Sequence, residues 1–293
     1  EYNGSYNGSE KFGEGYRFGF FSSGGIGWNI HNEKFMSSIE FLDNLKFRGS
    51  YGKIGDDNTT GRWLYMTEWA YGGTTGLGTT GITPIESPYT WYRIESLGNP
   101  DVHWATVTKA NIGLDFGFFN GLISGTVDVF RDRRENILIS GSNRAVPSYF
   151  GQEAPAANLG EVENQGYELT LNLDHRFKSG LRLWTEMSVT HAENVVIERD
   201  DPELLPDYQK QEGYAVGQAR THIDNGIYDS WDELYATTPF NTNDASKLPG
   251  GKYIVDYNAD GIIDDEDSVP YGYSGTPQTA HFTEKPCAFT KKE

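Results

Sequence analysis

One cysteine, Cys287, stands in the 293 residues, which excludes an internal disulfide framework and a Cys-based zinc site. No run of 18 apolar residues occurs, so a transmembrane helix is excluded as well. Basic residues are scarce beside acidic ones, 24 Lys and Arg against 42 Asp and Glu. The net charge of −18 argues against nucleic acid as a partner, because phosphate binding needs clustered Lys and Arg. Catalytic signatures are missing too: there is no zinc-protease H-E-x-x-H, no G-x-S-x-G and no phosphate-binding glycine loop. The six histidines are scattered, and His103, beside Trp104 at a strand start, reads as an interfacial residue rather than a base. Any two loop carboxylates could be drawn as a glycosidase pair, but with 42 acids that pairing has no specificity. The chain does not read as an enzyme.

Aromatic residues and glycine are abundant, with 18 Tyr, 16 Phe, 7 Trp and 35 Gly, while apolar residues make up 37% of the chain. That balance suits a turn-rich β protein, or a barrel with aromatic girdles and a wet lumen, whose alternating strands keep mean hydropathy low. The pattern is clearest from Trp104 to Arg134. Ala110, Ile112, Leu114, Phe116 and Phe118 are apolar on even positions, with Lys109, Asn111 and Asp115 between them. After Asn120-Gly121, Ile123, Val127 and Val129 alternate with Ser124, Thr126, Asp128 and Asp132. Alternation on both sides of Asn-Gly predicts a hairpin with a type I′ turn. Each arm exceeds the usual strand of about 5–6 residues and reaches the roughly 9–11 needed to cross a bilayer at a tilt.

Elsewhere, residues 1–15 read as a Gly, Ser and Asn loop, with the Asn-Gly-Ser triplets taken as turns. Tyr16 to Ile30 predicts a strand with a bend at Ser22-Ser23-Gly24-Gly25, and His31 to Asn44 a short helical connection. Strands follow at 45–54, 166–177 and 181–191. Connections alternate in length: 31–44, 120–121 and 178–180 are short, whereas 55–103, 135–164 and 192–274 are long. A membrane barrel segregates loop length in this way, with short turns at the periplasmic rim and long loops outside the cell. The expected fold class is therefore all-β, about six antiparallel strands of a transmembrane β-barrel.

Two sets of residues could meet a ligand. Aromatic side chains cluster in the long loops: Trp63, Tyr65, Trp69, Tyr71, Trp91 and Tyr92 in the first, and Tyr228, Trp231 and Tyr235 in the third. Exposed rings of this kind stack on sugars or peptide side chains, or else pack the loops and the membrane interface. The second set is the calcium-loop pattern of residues 256–267. There Asp256, Asn258, Asp260, the carbonyl of Ile262, Asp264 and Asp267 offer oxygens to a hard cation, and Gly261 permits a sharp turn. Asp267 replaces the usual Glu, and no helical period precedes the motif, so it reads as a bare loop with calcium as its expected ion. The alternative is a solvated acidic turn.

RFGFFSSGGIGWNIHNEKF (17–35), LKFRGSYGKIGDDN (45–58), NPDVHWATVTKANIGLDFGFFNGLISGTVDVF (99–130), NLGEVENQGYELTLN (158–172) and YIVDYNADGIIDDEDSVPYG (253–272) resemble the SusC/RagA family of TonB-dependent outer-membrane transporters of Bacteroidetes. The resemblance implies a plugged barrel of about 22 strands, with residues 1–277 forming part of its C-terminal half in the outer membrane. It implies a SusD-like surface lipoprotein as partner and an oligosaccharide or peptide as ligand. Energy would come from the TonB complex, through an N-terminal region that this chain lacks. It also implies that the aspartate-rich stretch lies in an extracellular loop. Residues 278–293 depart from the family, and a truncation or reading-frame change is the expectation there. The chain opens at Glu1 with neither initiator Met nor signal peptide, so it reads as a fragment. The competing reading is a secreted, calcium-dependent carbohydrate-binding or adhesin module.

Overall fold

The structure is a computed structural model, and it describes residues 1–59, 61–74, 90–240 and 247–271. The tail at 278–293, with Cys287, lies outside the described residues. Residues 1–200 and 201–293 form two compact units.

The first unit is built on one antiparallel sheet of seven strands. In chain order these are β1 (Tyr2–Gly8), β2 (Phe18–Asn29), β3 (Leu42–Asp56), β6 (Ala105–Phe118), β7 (Ile123–Ile139), β8 (Ala157–Arg176) and β9 (Arg182–Glu198). Each strand pairs with the next in that order. A separate hairpin of β4 (Glu68–Thr74) and β5 (Thr90–Ser96) stands between β3 and β6.

Register turns alternation into two chemically distinct faces, because side chains on a strand point to opposite sides in turn. Trp28, Phe47, Leu114, Val127, Leu169 and Val189 are direct partners in succession and form one apolar row across six strands. The neighbouring row on that face runs Leu45, Phe116, Gly125, Leu171 and Met187. On the opposite face, Lys46, Asp115, Thr126, Thr170 and Ser188 are partners in the same way. Among the described residues no element packs over this apolar face, and Ile112 is 58% exposed and Val129 56%. A contiguous apolar surface of this extent needs an apolar neighbour.

The sequence expectations need correction in three places, and the hairpin turn is not among them. Residues 1–15 contain β1, hidden because its Asn-Gly dipeptides read as turns; Tyr2, Gly4 and Tyr6 in fact alternate with Asn3, Ser5 and Asn7, and β1 pairs with β2. The connection after β2 holds two 3-10 turns, Ile30–Asn32 and Lys34–Met36, rather than an α-helix. The hairpin turns at Asn120-Gly121 as expected: both take positive φ, and the Leu122 N–H donates to the Phe119 carbonyl at 3.3 Å. Strands β7 and β8 also extend well beyond the apolar segment. There Arg131 pairs with Glu163 at 2.7 Å and Arg133 with Glu161 at 2.6 Å, so opposite charges continue the ladder where hydropathy gives no signal.

The chain connections keep the expected parity. Short turns join β6 to β7 and β8 to β9 at one end of the sheet, while residues 57–104 and 140–156 leave from the other. At the long-loop end, Phe12 and Val102 are fully buried, and the Trp104 ring packs against Phe12 at 5.2 Å and Phe21 at 5.4 Å.

Among the described residues the second unit carries short pairings only. β10 (Arg220–Thr221) pairs with β13 (Val269–Pro270), and β11 (Asp224–Ile227) with β12 (Lys252–Ile254). An α-helix, α1 (Trp231–Ala236), is capped by Ser230, whose hydroxyl accepts from the Glu233 N–H. Tyr228, Leu234, Ile263 and Val269 form its buried centre. Among the described residues no helix is long and apolar enough to cross a membrane.

Candidate functional site

On the polar face of the sheet, Arg48 of β3 reaches two carboxylates. Its Nε donates to Asp115 Oδ1 at 3.0 Å and its Nη2 to Asp128 Oδ2 at 2.5 Å. Gly113 makes room for this: a Cβ there would stand 2.7 Å from both Arg48 Cζ and Asp128 Oδ1. Asp128 is 9% exposed, and its Oδ1 has no hydrogen-bond partner among the described residues. One guanidinium between two carboxylates leaves the trio itself with one net negative charge, on a polar face that also carries Lys46, Thr126, Thr170 and Glu168. Sequence reasoning missed this trio, because its members stand 67 and 80 residues apart and only strand register joins them.

The aromatic candidates divide. Trp69 and Tyr71 lie on β4, Trp91 and Tyr92 on β5, and the Tyr71 and Tyr92 rings meet at 5.7 Å across the hairpin. Trp69 and Tyr92 are each 64% exposed, so this hairpin presents an aromatic surface. The Trp91 ring lies over Gly72, where a Cβ would approach it to 2.4 Å. Trp63 is exposed in a positive-φ conformation, and Tyr65 sits half-buried beside Gly13. In the second unit, Trp231 and Tyr235 stack at 6.0 Å on α1 and are exposed. Tyr228 is the exception. It is 1% exposed and stacked on Tyr253 at 5.3 Å, so it is a core residue and leaves the set of exposed rings.

The acidic loop makes the sharp turn expected of Gly261, with φ of 90° there and 60° at Ala259. Its side-chain oxygens are turned onto the loop's own backbone. Asp256 Oδ2 accepts from the Gly261 N–H at 2.9 Å, Asn258 Oδ1 from Asp260 at 3.0 Å, and Asp260 Oδ1 from Ile262 at 2.8 Å. Asp264 Oδ1 accepts from the Glu266 N–H at 2.9 Å. Asp267 is fully buried and accepts from the N–H groups of Tyr257, Asn258 and Asp264, which closes the loop from within. Burial first, and then the negative charge of Asp267, push the neighbouring Tyr208 hydroxyl above its ordinary pKa. Asp256 Oδ1 is buried and has no partner among the described residues. The donor chemistry suits a hard cation, yet among the described residues no three His, Cys, Asp or Glu side chains are arranged to hold an ion.

The sequence profile of the TonB dependent receptor-like β-barrel family matches residues 2–272. The chain belongs to that family. A TonB-dependent receptor of Formosa agariphila is 27% identical across 87% of this chain and 23% of its own length. The TonB-dependent receptor SusC of Bacteroides thetaiotaomicron is 26% identical across 91% of this chain and 26% of its own. Among solved structures, the RagAB peptide importer in its open-open state superposes with a TM-score of 0.67 at 19% identity, over 92% of this chain and 27% of that one. Its closed-closed state gives 0.62 at 18% identity, over 92% and 28%. The chain thus spans about a quarter of the length of these relatives. As a TonB-dependent receptor barrel it is an outer-membrane protein. The apolar face is then the lipid-facing wall, the face bearing Arg48, Asp115 and Asp128 looks into the lumen, and the long-loop end is extracellular.

Proposed function

We propose that the chain forms part of the barrel wall and outer loops of an importer that carries oligosaccharides or peptides across the outer membrane. It works with a SusD-like surface lipoprotein and draws energy from the TonB complex through a region outside this chain. The observation that carries the reading is the in-register division of the sheet into an apolar and a polar face, with the long loops at one end. A secreted binding module would have to bury the row from Trp28 to Val189, and the sheet leaves it bare. The work of such a wall is gating and guidance, not bond chemistry. Exposure of Trp69, Tyr71 and Tyr92 in the first unit, and separately of Trp231 and Tyr235 in the second, supports these rings as the ones to touch ligand.

Uptake of labelled oligosaccharides and of labelled peptides by cells carrying the full transporter tests this, with a deletion strain and a Trp69→Ala/Tyr92→Ala variant alongside. The deletion should abolish uptake of one ligand class and the variant should lower it. Uptake of both classes unchanged in the deletion strain sinks the proposal. Co-purification of a surface lipoprotein with the tagged transporter checks the partner.

Calcium at residues 256–267 belongs to the same proposal, on the spacing of the oxygen donors and the buried, unpartnered Asp256 Oδ1. Binding would exchange the loop's N–H···O bonds for metal–oxygen bonds from Asp256, Asn258, Asp260 and the Ile262 carbonyl. Calcium should slow hydrogen exchange in this loop of the full transporter, and Asp256→Asn should remove the effect. Equal exchange with calcium and with chelator would show an acidic turn that needs no ion.

A further inference from the structure

Among the described residues the hairpin of β4 and β5 forms a sheet of its own, outside the seven-stranded ladder. Its position therefore depends on its root, where the chain leaves and rejoins the wall. The outgoing leg is held at Asp57, whose carboxylate accepts from the Ser9 hydroxyl at 2.9 Å and whose carbonyl accepts from Lys11 Nζ at 2.9 Å. The two legs then meet. The Gly98 N–H donates to Thr67 Oγ1 at 3.2 Å, and the Asn99 N–H to the Leu64 carbonyl at 2.8 Å. A Cβ on Gly98 would stand 2.2 Å from the Met66 carbonyl carbon, so the legs touch backbone to backbone.

The return leg is fastened by two asparagine side chains, both of which join it to the end of the next loop and the start of β8. Asn99 Nδ2 donates to the Ala156 carbonyl at 2.9 Å, while Asn99 Oδ1 accepts from the Asp101 N–H at 3.0 Å and shapes the local turn. Asn158 takes both backbone groups of His103: its Oδ1 accepts from the N–H at 3.1 Å, and its Nδ2 donates to the carbonyl at 2.9 Å. Nδ2 also donates to the Asn136 carbonyl at 2.8 Å, so both donors of this amide are used. The β7–β8 ladder is irregular here. Its register shifts between Arg134 and Ile137 and again between Ile137 and Leu138, and Asn136 takes a φ of 58°. Bulges of this kind re-aim side chains out of the ladder. Asn99 opens the stretch 99–130 and Asn158 the stretch 158–172, so two family-like stretches are joined at their first residues.

We propose that Asn99 and Asn158 are positioning residues for ligand capture. They bolt the aromatic hairpin to the start of β8, so that Trp69, Tyr71 and Tyr92 meet ligand from a fixed place. A loop ordered before binding loses less conformational freedom on binding, and the difference appears as affinity. The inference rests on the reading of those three rings as ligand contacts. An aspartate at either position keeps the size and one accepting oxygen, but sets a second oxygen against a carbonyl where the amide donated.

The test measures uptake of labelled oligosaccharide and labelled peptide mixtures by cells carrying the full transporter. Asn158→Asp, Asn99→Asp and Trp69→Ala/Tyr92→Ala are made singly and in combination. Each asparagine variant should raise the concentration for half-maximal uptake about fivefold, the scale of one neutral hydrogen bond. The maximal rate and the amount of folded barrel in the outer membrane should not change, whereas a merely structural role would lower one of them. Added to Trp69→Ala/Tyr92→Ala, Asn158→Asp should cause no further rise, because it acts through those rings. In the purified transporter, hydrogen exchange should quicken across 68–74 and 90–96 in both asparagine variants. A half-maximal concentration unchanged in either variant, or a full fivefold rise on top of the ring variant, overturns the proposal. Hairpin exchange left as in wild type overturns it too. If Asn158→Asp does not fold, Asn99→Asp decides alone. Failure of the ring reading looks different: Trp69→Ala/Tyr92→Ala would leave uptake unchanged although hairpin exchange quickens, and the ligand role of the two asparagines would fall with it.

Discussion

Gly113 shows how much a single missing side chain can decide. Its hydrogen is what lets Arg48 lie against β6 and reach Asp115 and Asp128 together. Gly113→Val should force the guanidinium off both carboxylates and cost about 1–3 kcal/mol, as overpacking does. Thermal unfolding of the full barrel measures this, and an unchanged midpoint would mean that the trio is slack. Asp200, just past β9, is a second residue with a defined consequence. Burial works to raise its pKa, but the Arg144 guanidinium at 2.6 Å and the Ala145 N–H at 3.0 Å outweigh burial and hold the carboxylate below its ordinary value. A folded value below the unfolded one gives stability that is present above the unfolded value and is lost as pH falls through the folded one. Hydrogen exchange across 140–156 should therefore stay slow at neutral pH and quicken only in acid. Asp200→Asn should quicken it already at pH 7; a profile flat with pH in wild type would count against the tie. Neither residue advertises this in sequence, since glycines and aspartates are common here and their roles come from partners far along the chain.

At the scale of elements, the strands were legible where hydropathy alternates and illegible where it does not. Leu114 and Val127 face each other as the Asn120-Gly121 hairpin requires. The turn falls on that dipeptide, while Phe119 before it takes a φ of 57° that an aromatic residue rarely adopts and that no local pattern announces. β1 was hidden by its glycines, and the outer halves of β7 and β8 by charges that read as loop. Tyr228 was misjudged for a related reason, because local pattern does not report whether a loop aromatic turns inward. The two faces make opposite predictions for one substitution. Leu114→Arg, at the middle of the apolar rows, should cost about 2–4 kcal/mol and cut insertion into the membrane, whereas Thr126→Arg on the lumen face should leave insertion intact. Surface biotinylation of both variants separates the cases, and equal loss in both would mean the faces have been assigned without cause.

For the molecule as a whole, two edges govern behaviour. Among the described residues β1 and β9 each have a single neighbour, so each offers an unsatisfied row of N–H and C=O groups. No open edge is tolerated in hydrocarbon. Produced alone, residues 1–293 should aggregate or stay outside the membrane, and co-expression with the remaining strands of a receptor should restore heat-modifiable migration. A monodisperse, water-soluble product from the chain alone would contradict this. The manner in which the long loops leave the wall has a further consequence. Residues 57–104 depart after Asp56 and return at Ala105, which are themselves direct partners; residues 140–156 likewise depart after Ile139 and return at its partner Ala157. Each excursion begins and ends at the same rung of the ladder, so its length makes no difference to the rung below. Such loops behave as cassettes: one can be exchanged, lengthened or shortened while the ladder beneath it keeps its register.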